Sequence, residues 1–395
     1  MKIRTSARCE FVLHCLLAGL FALSAMSAQA TVTFTDVNPD SSTLDPTDPD
    51  GASGGRVNGL ASVAADNQTI YAATEFGGLY RSTDGGLTWN RLDGHMPVAT
   101  WDVKVDPVST STVYATSFFD GRTTPITGIQ VSYDGGLTWN HPATAHPDPA
   151  LEGTGQDNTP DPGFSCSATR RTEPSAFGIA IQPDAPQTVY VGTNCGLAIT
   201  DDSGTTWRFI DPSPTDPADD VWDVVAQPGG IVDICGDDGH LRSTDGGLTW
   251  IAGSGLPSGR CSMAVSLDES YVLLVAASDN NIYESDNGGT TWTNLGTPDR
   301  RRQGRTPFAA VNDRAGAAFD LWYGDVSLFR GGCTTPSPAA PGGANRCPAG
   351  RVTPATPPPA GWAGPFTRGT GAHDDVGAIV FDTEATIDAC PTVFA

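Results

Sequence analysis

Two acids stand out by the company they keep. Asp102 and Asp223 each occupy the middle of a Trp-Asp-Val triplet, Trp101-Asp102-Val103 and Trp222-Asp223-Val224. Two carboxyls at equivalent places of a repeat can serve as general acid and general base on either side of a sugar linkage. A repeat also reproduces plain packing and turn residues at equivalent places, and the sequence favours that second reading. Asn58, ahead of an apolar run, and His373-Asp374-Asp375, ahead of Val376, are candidates for holding a ligand. A solvated turn is the competing reading of the histidine. Asp45, Asp48 and Asp50 offer oxygen ligands at calcium-like density but lack the full EF-hand loop with its terminal Glu. An ordinary acidic loop is therefore expected there, and no other cofactor or metal site. Arg300-Arg301-Arg302 with Arg305 could grip a carboxylate or phosphate, or balance charge internally. Gly51-Ala52-Ser53-Gly54-Gly55 spells a hydrolase elbow without the strand-to-helix context that an elbow needs.

The elements that must position these residues come from a repeat. One octapeptide recurs from Ser82 to Trp89, Ser132 to Trp139, Thr200 to Trp207, Ser243 to Trp250 and Ser285 to Trp292. Its third residue is Asp84, Asp134, Asp202 and Asp245 in turn, then Asn287; its last is Trp89, Trp139, Trp207, Trp250 and Trp292. The pattern is S-x-D-x-G-x-T-W. An Asp side chain can accept bonds from the backbone N–H groups that follow it and so fix a hairpin turn. Glycine supplies the positive φ such a turn requires. The Trp then opens the next strand and is expected to wedge neighbouring sheets together. These ten residues read as structural.

Three short strands precede each turn. Val57 to Ile70, Tyr71 to Thr74 and Gly78 to Arg81 lead into the first box, and matching runs lead into the others. A four-stranded unit every ~40–50 residues marks a propeller blade. The prediction is an all-β protein, a β-propeller of seven four-stranded blades, the last incomplete. The box blades cover about 57–300 and irregular blades about 301–395, all in one domain, 31–395. Val32 to Val37 is expected to supply an outer strand that closes the ring, which removes exposed sheet edges. No box follows Phe394-Ala395 and Cys390 lacks a partner, so the sequence is expected to stop short of a natural end.

Composition narrows the function classes. The chain has 395 residues, with 46 Gly and 31 Pro, and only 17% are charged against a usual ~25%. Few residues remain to fill helix surfaces. A net charge of −23 repels nucleic acid and anionic lipid and argues against both as partners. Residues 1–30 read as a signal peptide: bases up to Arg8, an apolar run to Ala25, and the small-x-small site Ala28-Gln29-Ala30. A secreted or periplasmic protein, not inserted in a membrane after cleavage, is expected. Export permits disulfides, and spacing suggests Cys166–Cys195, Cys235–Cys261 and Cys333–Cys347.

The five boxes resemble the BNR/Asp-box propeller superfamily, which includes sialidases, xyloglucanases, sortilin-type receptors and a photosystem assembly factor. In those families the boxes lie on the rim, so they do not separate the members. No Arg-Ile-Pro of the sialidase kind is present, whereas Thr74-Glu75-Phe76-Gly77-Gly78-Leu79-Tyr80-Arg81 resembles a xyloglucanase stretch with Glu75 at an acid position. Two functions follow as expectations. One is a recognition or scaffold module for an extracellular glycan or protein. The alternative is a glycoside hydrolase of xyloglucanase-like or sialidase-like type, acting on polysaccharide with Glu75, Asp102 and Asp223 as its acids.

Overall fold

The computed structural model describes residues 2–5, 32–35, 57–63, 68–95, 97–119, 127–143, 159–160, 166, 174–213, 218–265, 273–296, 308–314, 318–324, 328–332, 362–363, 380–381 and 393–394. Among them every regular element is a strand.

Each box unit folds as a sequential antiparallel sheet. The first sheet joins Val57–Ser62, Ile70–Thr74, Gly78–Ser82 and Asn90–Arg91. The second begins at Thr100–Val105, the third at Ala176–Ile181, the fourth at Val221–Gln227 and the fifth at Ser262–Val265. The third gains an extra parallel strand, Thr159–Pro160, beside Arg208–Ile210. A sixth sheet starts at Phe308–Arg314. In a further sheet Val380–Phe381 and Val393–Phe394 are joined by Lys2–Thr5 and, outermost, Val32–Thr35. Val32–Thr35 is thus the outer strand the sequence led us to expect. Lys2–Thr5, within the segment that reads as a signal, lies between it and the C-terminal strands. The first strands of successive sheets touch one another from Val57–Ser62 through Phe308–Arg314, and Val380–Phe381 touches Val57–Ser62. The sheets therefore stand around a common axis with their first strands innermost, the arrangement of a β-propeller.

The core is divided among the joints between sheets. Tyr71, Ala73 and Leu79 of the first sheet pack with Val103, Val113 and Ala115 of the second, and Trp139 lies against them. Trp207 packs with Tyr114, Ile129 and Val131 of the preceding sheet. Trp250 lies against Tyr190, Leu197 and Ile199, and Trp292 against Cys235 of the fourth sheet. Each of these box tryptophans thus wedges its sheet onto the one before.

The boxes behave as the sequence implies. Asp84 Oδ1 accepts from the N–H of Leu87 at 3.0 Å and of Thr88 at 2.9 Å, while the Thr88 hydroxyl donates to Oδ2 at 2.6 Å. The Ser82 hydroxyl donates to Asp84 at 2.7 Å and accepts from the Gly86 N–H at 2.8 Å. Gly85 and Gly86 have φ of 70° and 84°. In the fifth box Asn287 Oδ1 keeps the Thr291 N–H at 3.0 Å, and its Nδ2 now donates to the Thr291 hydroxyl at 2.8 Å.

Donation by the threonine hydroxyls and amides of their boxes lowers Asp84, Asp134 and Asp245 to about 2. A lowered carboxyl contributes stability that is present above about 4 and lost as pH falls through 2. A triple Asp84→Asn, Asp134→Asn, Asp245→Asn variant should therefore lose less stability than the parent over that window, because amides do not titrate. Denaturant midpoints measured at steps between pH 4 and 2 check this; parallel losses in both proteins would contradict it.

Candidate functional site

The register fixes which residues share each end of the ring. Val57 pairs with Thr74 and Thr74 with Gly78, so the start of each first strand lies beside the turn between second and third strands. The Asp boxes, which follow the third strands, lie at the opposite end. Exposed Leu87, Leu137 and Leu248 belong to that box end.

At the first-strand end, three consecutive sheets present an aromatic residue at the same place. These are Trp101, Phe177 and Trp222. Phe177 and Trp222 stack with ring centroids 4.3 Å apart, and Trp101 meets Phe177 at 5.2 Å and Trp222 at 5.6 Å. Phe118 meets Trp101 edge-on at 5.7 Å, and Phe76 meets Phe118 at 6.3 Å. The guanidinium of Arg260 lies over Trp101, 4.4 Å from the ring centroid, and 5.6 Å from that of Trp222. Arg260 is placed by its neighbour Cys261, which is bonded to Cys235 of the fourth sheet. Cys166–Cys195 forms at this end too, so two of the three expected disulfides are present; Cys333 and Cys347 lie outside the described residues.

One residue inward from the rings come the two acids. Asp102 Oδ2 accepts from the Ile179 N–H of the next sheet at 3.2 Å, and Lys104 pairs with the same carboxylate at 2.8 Å. Asp223 Oδ2 accepts from the Met263 N–H of the next sheet at 2.7 Å, and its Oδ1 from the Val224 N–H at 2.8 Å. Each acid also faces a glycine of the preceding sheet. A Cβ on Gly59 would lie 2.6 Å from Asp102 Oδ1, and one on Gly178 would lie 2.1 Å from Asp223 Oδ1. Glycine is required at both places because the acid fills the space. The acids therefore join sheets, and they stand within electrostatic reach of each other. Burial pushes Asp223 up to about 7; the Met263 and Val224 amides pull it back, the charge on Asp102 adds to the rise, and Lys104 offsets part of it.

A raised carboxyl pKa means that the fold holds a proton more tightly than the unfolded chain. Its stabilising effect is complete below about 4 and declines as pH rises to about 7. An Asp223→Asn variant should remove that decline. Denaturant midpoints between pH 4 and 8 test this, and an unchanged slope would contradict it.

Asn58 shares this end: its side-chain amide donates to the Thr100 carbonyl of the next sheet at 2.8 Å. Glu75 lies in the turn after Ile70–Thr74, next to Phe76, and is half-buried. The structure thus gathers Asn58, Glu75, Asp102 and Asp223 at one mouth. His373, Asp374, the Asp45–Asp48–Asp50 loop and the Arg300 cluster lie outside the described residues. Sequence reasoning overlooked the aromatic floor and Arg260. The Trp101-Asp102-Val103 and Trp222-Asp223-Val224 triplets carry the signal for the rings beside the acids.

A family model for the BNR/Asp-box repeat matches residues 80–91. A xyloglucanase of Acetivibrio thermocellus is 26% identical over 340 residues, covering 72% of this chain and 38% of that protein. The chain thus spans well under half the length of this curated relative. The crystal structure of an ancestral GH74 enzyme superposes with a TM-score of 0.53 at 18% identity, over 71% of this chain and 37% of the other. With five Asp boxes at the turns of sheets set around one axis, the chain is a β-propeller of the BNR/Asp-box repeat superfamily.

Proposed function

We propose that this propeller acts on a polysaccharide as part of a glycoside hydrolase of xyloglucanase type, the sugar chain lying across the mouth beside Trp101 and Trp222. The observation that carries the reading is the 26% identity to a xyloglucanase over 72% of the chain. The mouth suits it: half-buried Trp101 and Trp222 with polar groups around them are the mix of surfaces that a sugar-sized ligand needs. Asp223, pushed up to about 7, is the proposed proton donor. Asp102, paired with Lys104, is the proposed partner carboxylate. A carboxyl held protonated near neutral pH can donate a proton in such a pair. Glu75 is the further acid of this reading, and Asn58, His373 and Asp374 its proposed ligand contacts. Under the same reading residues 1–30 direct export, and the ligand is extracellular.

The test is reducing-sugar release from xyloglucan, other β-glucans and sialoglycans. The expected result is release from a β-glucan backbone, falling about 100-fold or more in Asp223→Asn. A second reading, a recognition or scaffold module for a glycan or protein, is favoured by one observation. The Asp102 and Asp223 carboxylates already accept backbone amides of neighbouring sheets. Binding of a polysaccharide without release, by protein with native near-UV dichroism, would establish that reading instead.

A further inference from the structure

An Asn-Gly pair is open to attack by its own backbone nitrogen on the side-chain amide, because glycine puts no Cβ in the way. The chain has this pair twice, at Asn58-Gly59 and Asn287-Gly288. The first lies in the extended strand Val57–Ser62, where Gly59 pairs with Ala73 and the Asn58 amide donates to the Thr100 carbonyl. The second lies in the turn of the fifth box, with Asn287 exposed and Gly288 at φ of 66°. A Cβ on Gly288 would lie 3.0 Å from Arg242 Nη1, so this position keeps its glycine. The box surrounds the Asn287 amide with groups that its conversion would use. The Thr291 N–H at 3.0 Å and the Ser285 hydroxyl at 2.9 Å donate to Oδ1, where negative charge develops when Cγ is attacked. The leaving nitrogen, Nδ2, donates to the Thr291 hydroxyl at 2.8 Å. The other four boxes hold Asp at this place. There the threonine hydroxyl donates to the carboxylate, as Thr88 does to Asp84 at 2.6 Å.

We propose that Asn287 is a self-modification site: its amide converts to a carboxylate through a cyclic imide with Gly288, and the box directs the imide to open to Asp. All five boxes then carry the same residue. The Gly288 nitrogen bonds to Asn287 Cγ and gives up its proton, the Cγ–Nδ2 bond breaks, and Nδ2 leaves with that proton as ammonia. Water then adds at Cγ, and the bond from Cγ to the Gly288 nitrogen breaks. That nitrogen takes back the electron pair and a proton, and the Asp carboxyl remains. Addition of water at the Asn287 main-chain carbonyl would give isoaspartate instead. The two donors on Oδ1 polarise Cγ, so water is directed there. The product is then locked. Asp84, Asp134 and Asp245 also precede glycines, and their boxes lower them to about 2. An ionised carboxylate resists attack, so the conversion runs one way. The proposal stands apart from the polysaccharide reading.

The experiment ages the full chain at pH 8, native and unfolded in guanidinium, and follows both Asn-Gly pairs by peptide mapping that separates Asp from isoaspartate. In the native chain Asn287 is expected to convert about tenfold faster than Asn58 or more, with Asp as the main product. In the unfolded chain the two pairs should convert at similar rates, with isoaspartate the main product at both. Ser285→Ala removes one Oδ1 donor and should slow native conversion about tenfold while raising the isoaspartate share. The denaturant midpoint of the aged native chain should approach that of Asn287→Asp. An Asn287 that stays an amide in the native chain while the unfolded chain converts would show that the box protects it, and would overturn the proposal. Isoaspartate as the main native product, or faster native conversion in Ser285→Ala, would overturn the directing role of the box.

Discussion

Replacing Asp233 by Ala is expected to cost the fold about 3–5 kcal/mol. Asp233 has no exposed surface. It accepts from His240 Nε2 at 2.9 Å, from Arg242 Nη1 at 3.3 Å and from the Gln227 side-chain amide at 3.0 Å. His240 is buried and meets Trp292 of the next sheet edge-on, with ring centroids 5.0 Å apart. The carboxylate thus anchors the polar joint between the fourth and fifth sheets. Its removal takes this carboxylate from Arg242, only 15% exposed, and from the buried His240. An exposed pair gives the contrast. Arg91 and Asp93 meet at 3.0 Å with Asp93 69% exposed, so Asp93→Ala should cost less than about 1 kcal/mol. Denaturant unfolding of both variants beside the parent measures the difference; a loss below about 1 kcal/mol for Asp233→Ala would contradict the account of this joint.

Gly178→Ala should cost about 3 kcal/mol, at the upper end of the range for overpacking. Its Cβ would lie 2.1 Å from Asp223 Oδ1 and 2.8 Å from the Asp223 Cα. The side-chain oxygen could turn aside, but the backbone atom belongs to an inner strand bonded within its own sheet. Either the two sheets move apart or Asp223 leaves the Met263 amide, and both disturb the mouth. The variant should therefore also bind the mouth's ligand more weakly. Gly229→Ala is the control: it has φ of +83° but nothing within 4 Å of its Cβ. Its cost is backbone strain alone, about 1–2 kcal/mol. Equal losses for the two variants would show that strain, not the approach of the acid, limits Gly178.

The parts of the fold that sequence made plain are those held by local bonds. Every partner of Asp84 within its box lies within four residues of it, so the spacing of Ser, Asp, Gly and Thr carries the whole turn. The Cys166–Cys195 and Cys235–Cys261 pairs, 29 and 26 residues apart, are not local, but each joins a cysteine to the next one along the chain, as spacing suggested. The mouth is different in kind. Trp101, Trp222 and Arg260 meet only because three sheets are set around one axis, and no spacing records that angle. Asp102 and Asp223 were legible as equivalents, but their bonds to Ile179 and Met263 cross between sheets. Asp233 was missed for another reason. It pairs with Arg242 as Tyr71 pairs with Arg81, so it is a polar exception in a position where the first three sheets place tyrosines, Tyr71, Tyr114 and Tyr190. Such an exception becomes visible only once the strands are in register.

The central claim is that the first-strand mouth, not the box end, is where the propeller meets a polysaccharide. Its most direct test is the binding isotherm of soluble xyloglucan and β-glucans to the parent, to Trp222→Ala, and to a triple Leu87→Ala, Leu137→Ala, Leu248→Ala variant of the exposed box leucines. Saturable binding by the parent and the triple variant, lost in Trp222→Ala with native near-UV dichroism, is the predicted result. Binding retained by Trp222→Ala and lost in the triple variant would put the working surface at the opposite end and contradict the account.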